Sequence, residues 1–170
     1  MQAGDATGDG RSDVIVQRPI GTTGMEFLVM KSRLKGGAMD SPTRWVFVSG
    51  LQPATLRSVV ADFDRDGRDD VYLAYPATSG TTLAVLHATS SSRFTRRILW
   101  TSSASNPLPF SSLKLASGDY DLDGRGDLLM LIDDGSNGSR MDVFLPNDGA
   151  GVVKTWFHDQ ALEWATARPY

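Results

Sequence analysis

Asp5, Asp62 and Asp119 stand 57 residues apart, and the text around each is nearly the same. A period of that length constrains a fold more than composition does, because each repeat must be one structural unit. In register the chain reads GDATGDGRSDVIV, ADFDRDGRDDVYLA and GDYDLDGRGDLLML, each an acidic loop running into an apolar stretch. Second apolar runs follow at MEFLVM, TLAVLHA and RMDVFL. Third runs follow at RWVFV, RRILW and VKTWF, close to Trp45, Trp100 and Trp156, and short linkers close the units at LQPATL, LPFSSL and LEWATA. The 170 residues divide into repeats 1–57, 58–114 and 115–170, forming one continuous segment 1–170.

Each unit offers one short run before its acidic loop, SVVA at 58–61 and LKLAS at 113–117, and three after it. Four short strands rich in Val, Leu, Ile and aromatics, separated by Gly, Ser, Asn and Pro, describe a small antiparallel sheet. No stretch keeps a helical period of apolar residues. Such a repeat is the signature of a β-propeller blade, which cannot bury both faces alone and must stack on neighbours. The fold class predicted is therefore all-β: a β-propeller segment of three four-stranded antiparallel blades. A twelve-stranded sandwich would not account for the period.

Of the 20 acidic residues, 12 fall in the three loops 5–13, 62–70 and 119–127. Carboxylates crowded in this way repel one another unless a cation sits among them. In D-x-D-x-D-G-x-x-D, side chains at positions 1, 3, 5 and 9 converge when the glycine lets the chain turn, and the carbonyl at position 7 fills a further place. Hard oxygen ligands in that number suit Ca2+, which takes 6 to 8 of them, whereas Mg2+ keeps more of its water. The predicted ligands are Asp62, Asp64, Asp66, Asp70 and the Arg68 carbonyl in the second loop. Those of the third are Asp119, Asp121, Asp123, Asp127 and the Arg125 carbonyl. The first offers Asp5, Thr7, Asp9, Asp13 and the Arg11 carbonyl, and its hydroxyl at Thr7 predicts the weakest of the three sites. Gly10, Gly67 and Gly124 hold the turn. Up to three Ca2+ would carry the formal charge from −3 to +3. An EF-hand needs a bidentate Glu at position 12, where Val16, Leu73 and Met130 stand instead.

These loops, each followed by an apolar strand, resemble the FG-GAP or VCBS-type repeats of integrin α-subunit propellers and of many secreted bacterial proteins. The resemblance covers all three units and is carried by the loop and its strand, since the Phe-Gly and Gly-Ala-Pro signatures are absent as such. It implies a propeller blade whose calcium loop joins its first two strands, a secreted or cell-surface setting, and a role in adhesion or in binding a protein or glycan. Related propellers close with six to eight blades. Three blades leave faces and edges that invite association, which predicts either a fragment of a longer propeller or a homodimer completing a six-bladed ring.

Catalysis finds little support. There is no HExxH, no G-x-S-x-G, no phosphate-binding glycine loop and no cysteine, so the expectation is a binding module rather than an enzyme, with no catalytic residues and with ligand contacts unassigned. The alternative is a non-catalytic or substrate-positioning segment of a larger secreted hydrolase or lyase. With 17 basic against 20 acidic residues there is no excess that would track nucleic-acid phosphates, and no apolar run reaches the ~20 residues of a membrane span. Other features have plain readings. Arg125-Gly126-Asp127 spells an adhesion tripeptide, but the metal-loop register accounts for it. Asn137-Gly138-Ser139 is a glycosylation sequon in a polar loop. His87 and His158 read as core or surface filler, and the tryptophans read as packing between blades rather than sugar platforms.

Overall fold

The computed structural model describes residues 1–33, 37–105, 107–133, 135, 138–147 and 151–159, without the side chains of 151 and 156–159. The described residues form twelve strands in three four-stranded antiparallel meanders. The first comprises β1 (Gln2–Gly4), β2 (Asp13–Ile20), β3 (Gly24–Met30) and β4 (Thr43–Ser49). The second comprises β5 (Arg57–Ala61), β6 (Asp70–Ala77), β7 (Gly80–Ser90) and β8 (Arg93–Thr101). The third comprises β9 (Leu113–Gly118), β10 (Asp127–Asp133), β11 (Ser139–Pro146) and β12 (Gly151–Asp159). Single 3-10 turns at Pro53–Thr55 and Phe110–Ser112 lead from one sheet to the next. These sheets are propeller blades, stacked in an open row in which, among the described residues, no strand pairing joins the first to the third.

The middle blade shows why the units must stack. Side chains alternate across a strand, so Val71, Leu73, Ala84, Leu86 and Ala88 face one way and pack with Ile15, Met25, Phe27, Val29, Trp45 and Val48 of the first blade. The intervening Tyr72, Ala74, Leu83 and Val85 face the other way and pack with Leu113, Leu115, Leu128, Met130, Ile132 and Phe144 of the third. All nine of these middle-blade side chains are at 0% exposure, so β6 and β7 carry apolar residues on both faces.

The fourth strand of every blade carries a bulge at the same place. Pairing slips between Phe27 and Leu28, between Leu83 and Ala84, and between Met141 and Asp142. The residues passed over are Trp45, Leu99 and Trp156, so Trp100 lies one position beyond its apparent counterparts and takes the place of Val46. Trp45 is buried against Phe94 of the second blade, ring centroids 4.8 Å apart, which is interblade packing as the sequence suggested. Trp100 is only half-buried. The side chains of Trp156 and His158, the residue Asn137 and the linker LEWATA lie outside the described part.

Candidate metal loops and the blade interfaces

Each acidic loop connects the first strand of its blade to the second, and the three share a backbone path. Position 6 is a glycine in the left-handed region, Gly10, Gly67 and Gly124 at φ 80°, 80° and 85°. Position 4 is left-handed as well, and in two loops it is not glycine: Arg65 has φ 64° and Leu122 has φ 62°. Such residues store roughly 1 kcal/mol or more of backbone strain, a cost tolerated where a site over-determines the chain.

Within that path the first carboxylate organises the turn. Asp62 accepts the N–H of Asp66 (3.1 Å) and of Gly67 (2.9 Å), and Asp119 does the same for Asp123 (3.1 Å) and Gly124 (3.0 Å). Asp5 accepts from Gly8, Asp9 and Gly10. The position-5 carboxylates turn toward the arginine two residues on. Asp9 pairs with Arg11 and Asp66 with Arg68, while Asp123 lies 3.6 Å from Arg125.

The last carboxylate of each loop opens the second strand and is fully buried: Asp13, Asp70 and Asp127 are all at 0% exposure. One oxygen of each receives a loop N–H, from Thr7 (3.1 Å), Phe63 (2.9 Å) and Tyr120 (2.7 Å). The other oxygen looks to the end of the third strand. Ser32 N–H donates to Asp13 (3.0 Å) and Ala88 N–H to Asp70 (2.6 Å). The pairings Val14 with Met30, Val71 with Leu86 and Leu128 with Phe144 put Pro146 at the equivalent place in the third blade. Proline has no N–H, so among the described residues Asp127 Oδ1 is buried with no hydrogen-bond partner.

Burial sets the electrostatics. It pushes the Asp70 carboxyl up to about 8 against the opposing N–H groups of Ala88 and Phe63, with Asp64 and Asp66 adding to the rise. Asp127 is pushed up to about 6, again by burial first, with Asp121 and Asp123 contributing. A buried carboxylate that resists ionisation alone becomes a favourable ligand once a cation is beside it.

Three groups of side chains come together. Asp119, Asp121 and Asp127 place oxygens within 4.8 Å of one another in the third loop. In the second, Asp62, Asp64 and Asp66 do so, and so do Asp64, Asp70 and His87. Asp123 is not among the converging atoms of the third loop. No comparable group forms around Asp5, Thr7, Asp9 and Asp13 among the described residues. The sequence reading took His87 as filler; its place beside the loop comes from the β6–β7 register, in which the residue after Leu86 falls opposite Asp70, the residue before Val71.

Neighbouring loops are tied to each other. Asp69 N–H donates to the Asp5 carbonyl (2.8 Å) and its carboxylate accepts the Asp5 N–H (2.6 Å). One blade on, Gly126 N–H donates to the Asp62 carbonyl (2.5 Å) and the Gly126 carbonyl accepts from the Tyr72 hydroxyl (2.6 Å). A Cβ on Gly126 would fall 2.3 Å from Ala61 Cβ. Glycine in the Arg125-Gly126-Asp127 tripeptide is thus set by blade contact, and its aspartate is wholly buried.

The described surface also holds a small recess of about 20 Å³, open to solvent, between the second and third blades. Trp100, Leu108, Met130, Arg140, Asp142 and Val153 line it. Asp142 is 6% exposed and held by the Arg140 guanidinium (3.1 Å) and the Thr155 hydroxyl (2.8 Å). Among the described residues no helix is long and apolar enough to cross a membrane.

Comparison with known proteins agrees with the blade geometry. No curated protein matches the chain in sequence. A lectin of Agrocybe aegerita, described as specifically recognising non-reducing terminal N-acetylglucosamine, has a similar structure, with a TM-score of 0.65 at 17% identity over 95% of this chain. This chain spans 40% of that lectin's length. The FG-GAP-like repeat family model matches residues 62–130, from the first ligand position of the second loop into β10. Residues 62–130 are thus similar to FG-GAP-like repeats, and the chain that carries them is folded as β-propeller blades.

Proposed function

We propose that this chain is a non-catalytic, extracellular β-propeller binding module whose acidic loops hold Ca2+ and whose ligand is a glycan. The observation that carries the metal reading is Asp127 Oδ1, a buried carboxylate oxygen with no donor, in a loop that gathers Asp119 and Asp121 around it. An ion supplies the missing partner, and an all-oxygen set is the donor chemistry of calcium. Asp119, Asp121 and Asp127 would hold it in the third loop, and Asp62, Asp64, Asp66 and Asp70 in the second, with the carbonyls of Arg125 and Arg68 as further oxygens. Bound there, the ion neutralises the clustered charge and fixes the loop that contacts the preceding blade. Nothing in this role asks for an open coordination position or a reacting substrate.

The likeness to a lectin supports a glycan as ligand, and the recess beside Trp100 has suitable chemistry. An aromatic face at the edge of the recess offers a platform for the apolar side of a pyranose, and the Arg140 guanidinium beside it carries further N–H donors for hydroxyls.

Calcium titration with thermal unfolding tests the metal reading. Ions that bind only the folded state at 100 times their dissociation constant add roughly 2.7 kcal/mol per site. Asp121→Asn should remove one bound ion by calorimetry. Asp69→Ala should leave the ion count unchanged while weakening the first interface by roughly 1 to 3 kcal/mol, through the lost acceptor for Asp5 N–H. Stoichiometry unaffected by Asp121→Asn would rule out the third-loop assignment. For the ligand, glycan-array binding should be lost in Trp100→Ala and retained in Ile98→Ala.

A further inference from the structure

Asp62 and Asp127 belong to different loops, yet a single hydrogen bond links their backbones across the seam between two blades. The Asp62 carbonyl accepts the N–H of Gly126 (2.5 Å), the residue joined directly to Asp127. Two side chains of the second blade secure the same stretch of the third loop. The Tyr72 hydroxyl donates to the Gly126 carbonyl (2.6 Å), and Tyr72 is fully buried, its ring edge-on to Phe63 with centroids 5.9 Å apart. Arg65, at position 4 of the second loop, donates from Nη1 to the Asp123 carbonyl (3.0 Å). It also lies against Gly124, where an added Cβ would fall 3.0 Å from Arg65 Nε. The turn of the third loop and the residue before its buried carboxylate are therefore both held from the neighbouring blade. At the first seam the backbone bond recurs, from Asp69 N–H to the Asp5 carbonyl (2.8 Å). Ile15 and Gly8 stand 57 residues before Tyr72 and Arg65, and neither side chain can donate.

A loop that closes on a cation loses freedom, because it must gather like-charged carboxylates and, here, hold Arg65 at φ 64°. When the second loop is filled, Asp62 and Arg65 are fixed, and the Gly126 N–H and Asp123 carbonyl are fixed with them. The third loop then has less order left to lose. Units that touch only their neighbours in a row couple in this pairwise way. Charge acts in the opposite sense, since a filled loop draws the next cation less strongly. That repulsion is screened over about 8 Å at physiological salt, whereas the short hydrogen bonds are not.

We propose that Tyr72 and Arg65 are positioning residues for the third metal loop, through which a filled second loop raises the affinity of the third. The inference rests on the reading of these loops as calcium sites and adds a coupling between two of them.

The experiment titrates the whole chain with Ca2+ by calorimetry at about 0.15 M salt. Asp64→Asn leaves the third loop to bind alone and Asp121→Asn leaves the second, which gives each loop its own constant. In wild type the product of the constants for the two tighter sites should exceed the product of those single-loop constants at least about fivefold, the lower end of the range for coupled sites. The same three titrations are run in each variant. Tyr72→Phe and Arg65→Met should each reduce the factor and together bring it to about one. Arg65 is exposed, so its variant keeps the test decisive should Tyr72→Phe disturb the core. Ser117→Ala removes a different hydrogen bond across the same seam, from the Ser117 hydroxyl to the Val60 carbonyl (2.8 Å), and should leave the factor unchanged. A factor of one or below in wild type, a factor untouched by Tyr72→Phe and Arg65→Met, or one lost equally in Ser117→Ala overturns the proposal and leaves the calcium reading intact. If neither loop binds calcium, both readings fall.

Discussion

At Asp127 the absent N–H of Pro146 leaves a carboxylate oxygen buried without a donor among the described residues, where Asp70 receives one from the third strand and Asp13 one from Ser32 just past it. Restoring the donor should favour the ionised form. In Pro146→Ala the Asp127 carboxyl should fall from about 6 by roughly 1 to 2, the equivalent of one hydrogen bond to a charged group. Carbon-13 NMR titration of the ion-free protein reads this directly. An unmoved Asp127 would show that the new N–H does not reach it. The donor pattern was invisible in the repeats as text, because a proline matters here only through the strand pairing that sets it beside the loop.

The middle blade has apolar side chains on both faces of β6 and β7, so its two interfaces are separated by a sheet. Leu83→Ala, on the face toward the third blade, and Leu86→Ala, toward the first, should each cost about 2 to 5 kcal/mol. Their effects should add to within roughly 0.5 kcal/mol in the double variant, since they share no partner. The exposed Thr95→Ala on β8 should stay within about 0.5 kcal/mol of wild type in denaturant unfolding. Strands and loops of this kind were legible because the 57-residue period, the loop carboxylates and the turn glycines are local signals. The bulge was not. It shifts pairing by one residue, so the apparent series Trp45, Trp100, Trp156 is structurally Trp45, Leu99, Trp156. His87 was missed for a related reason, since its nearness to Asp64 arises from hairpin register and not from sequence spacing.

Across the whole molecule, burying ionisable carboxyls makes stability depend on pH in a definite direction. Asp70 and Asp127 have folded values of about 8 and about 6, above the ~3.9 of an unfolded aspartate. The ion-free fold binds their protons more tightly than the unfolded chain does, so their contribution is complete below about 4 and is lost as pH rises through about 6 and about 8. In EDTA the Tm should therefore drop between pH 5 and pH 9. Saturating calcium, which needs the ionised carboxylates, should flatten or reverse that slope. A Tm that climbs steadily with pH in EDTA would contradict the burial argument.

With both broad faces of the middle sheet consumed by its neighbours, that blade meets the outside world only along its rim strand, at its turns and in the seams beside it. Recognition by this blade is accordingly confined to narrow margins. Change in those margins can retune what is bound while the stacked interior, and with it the propeller geometry, stays as it is.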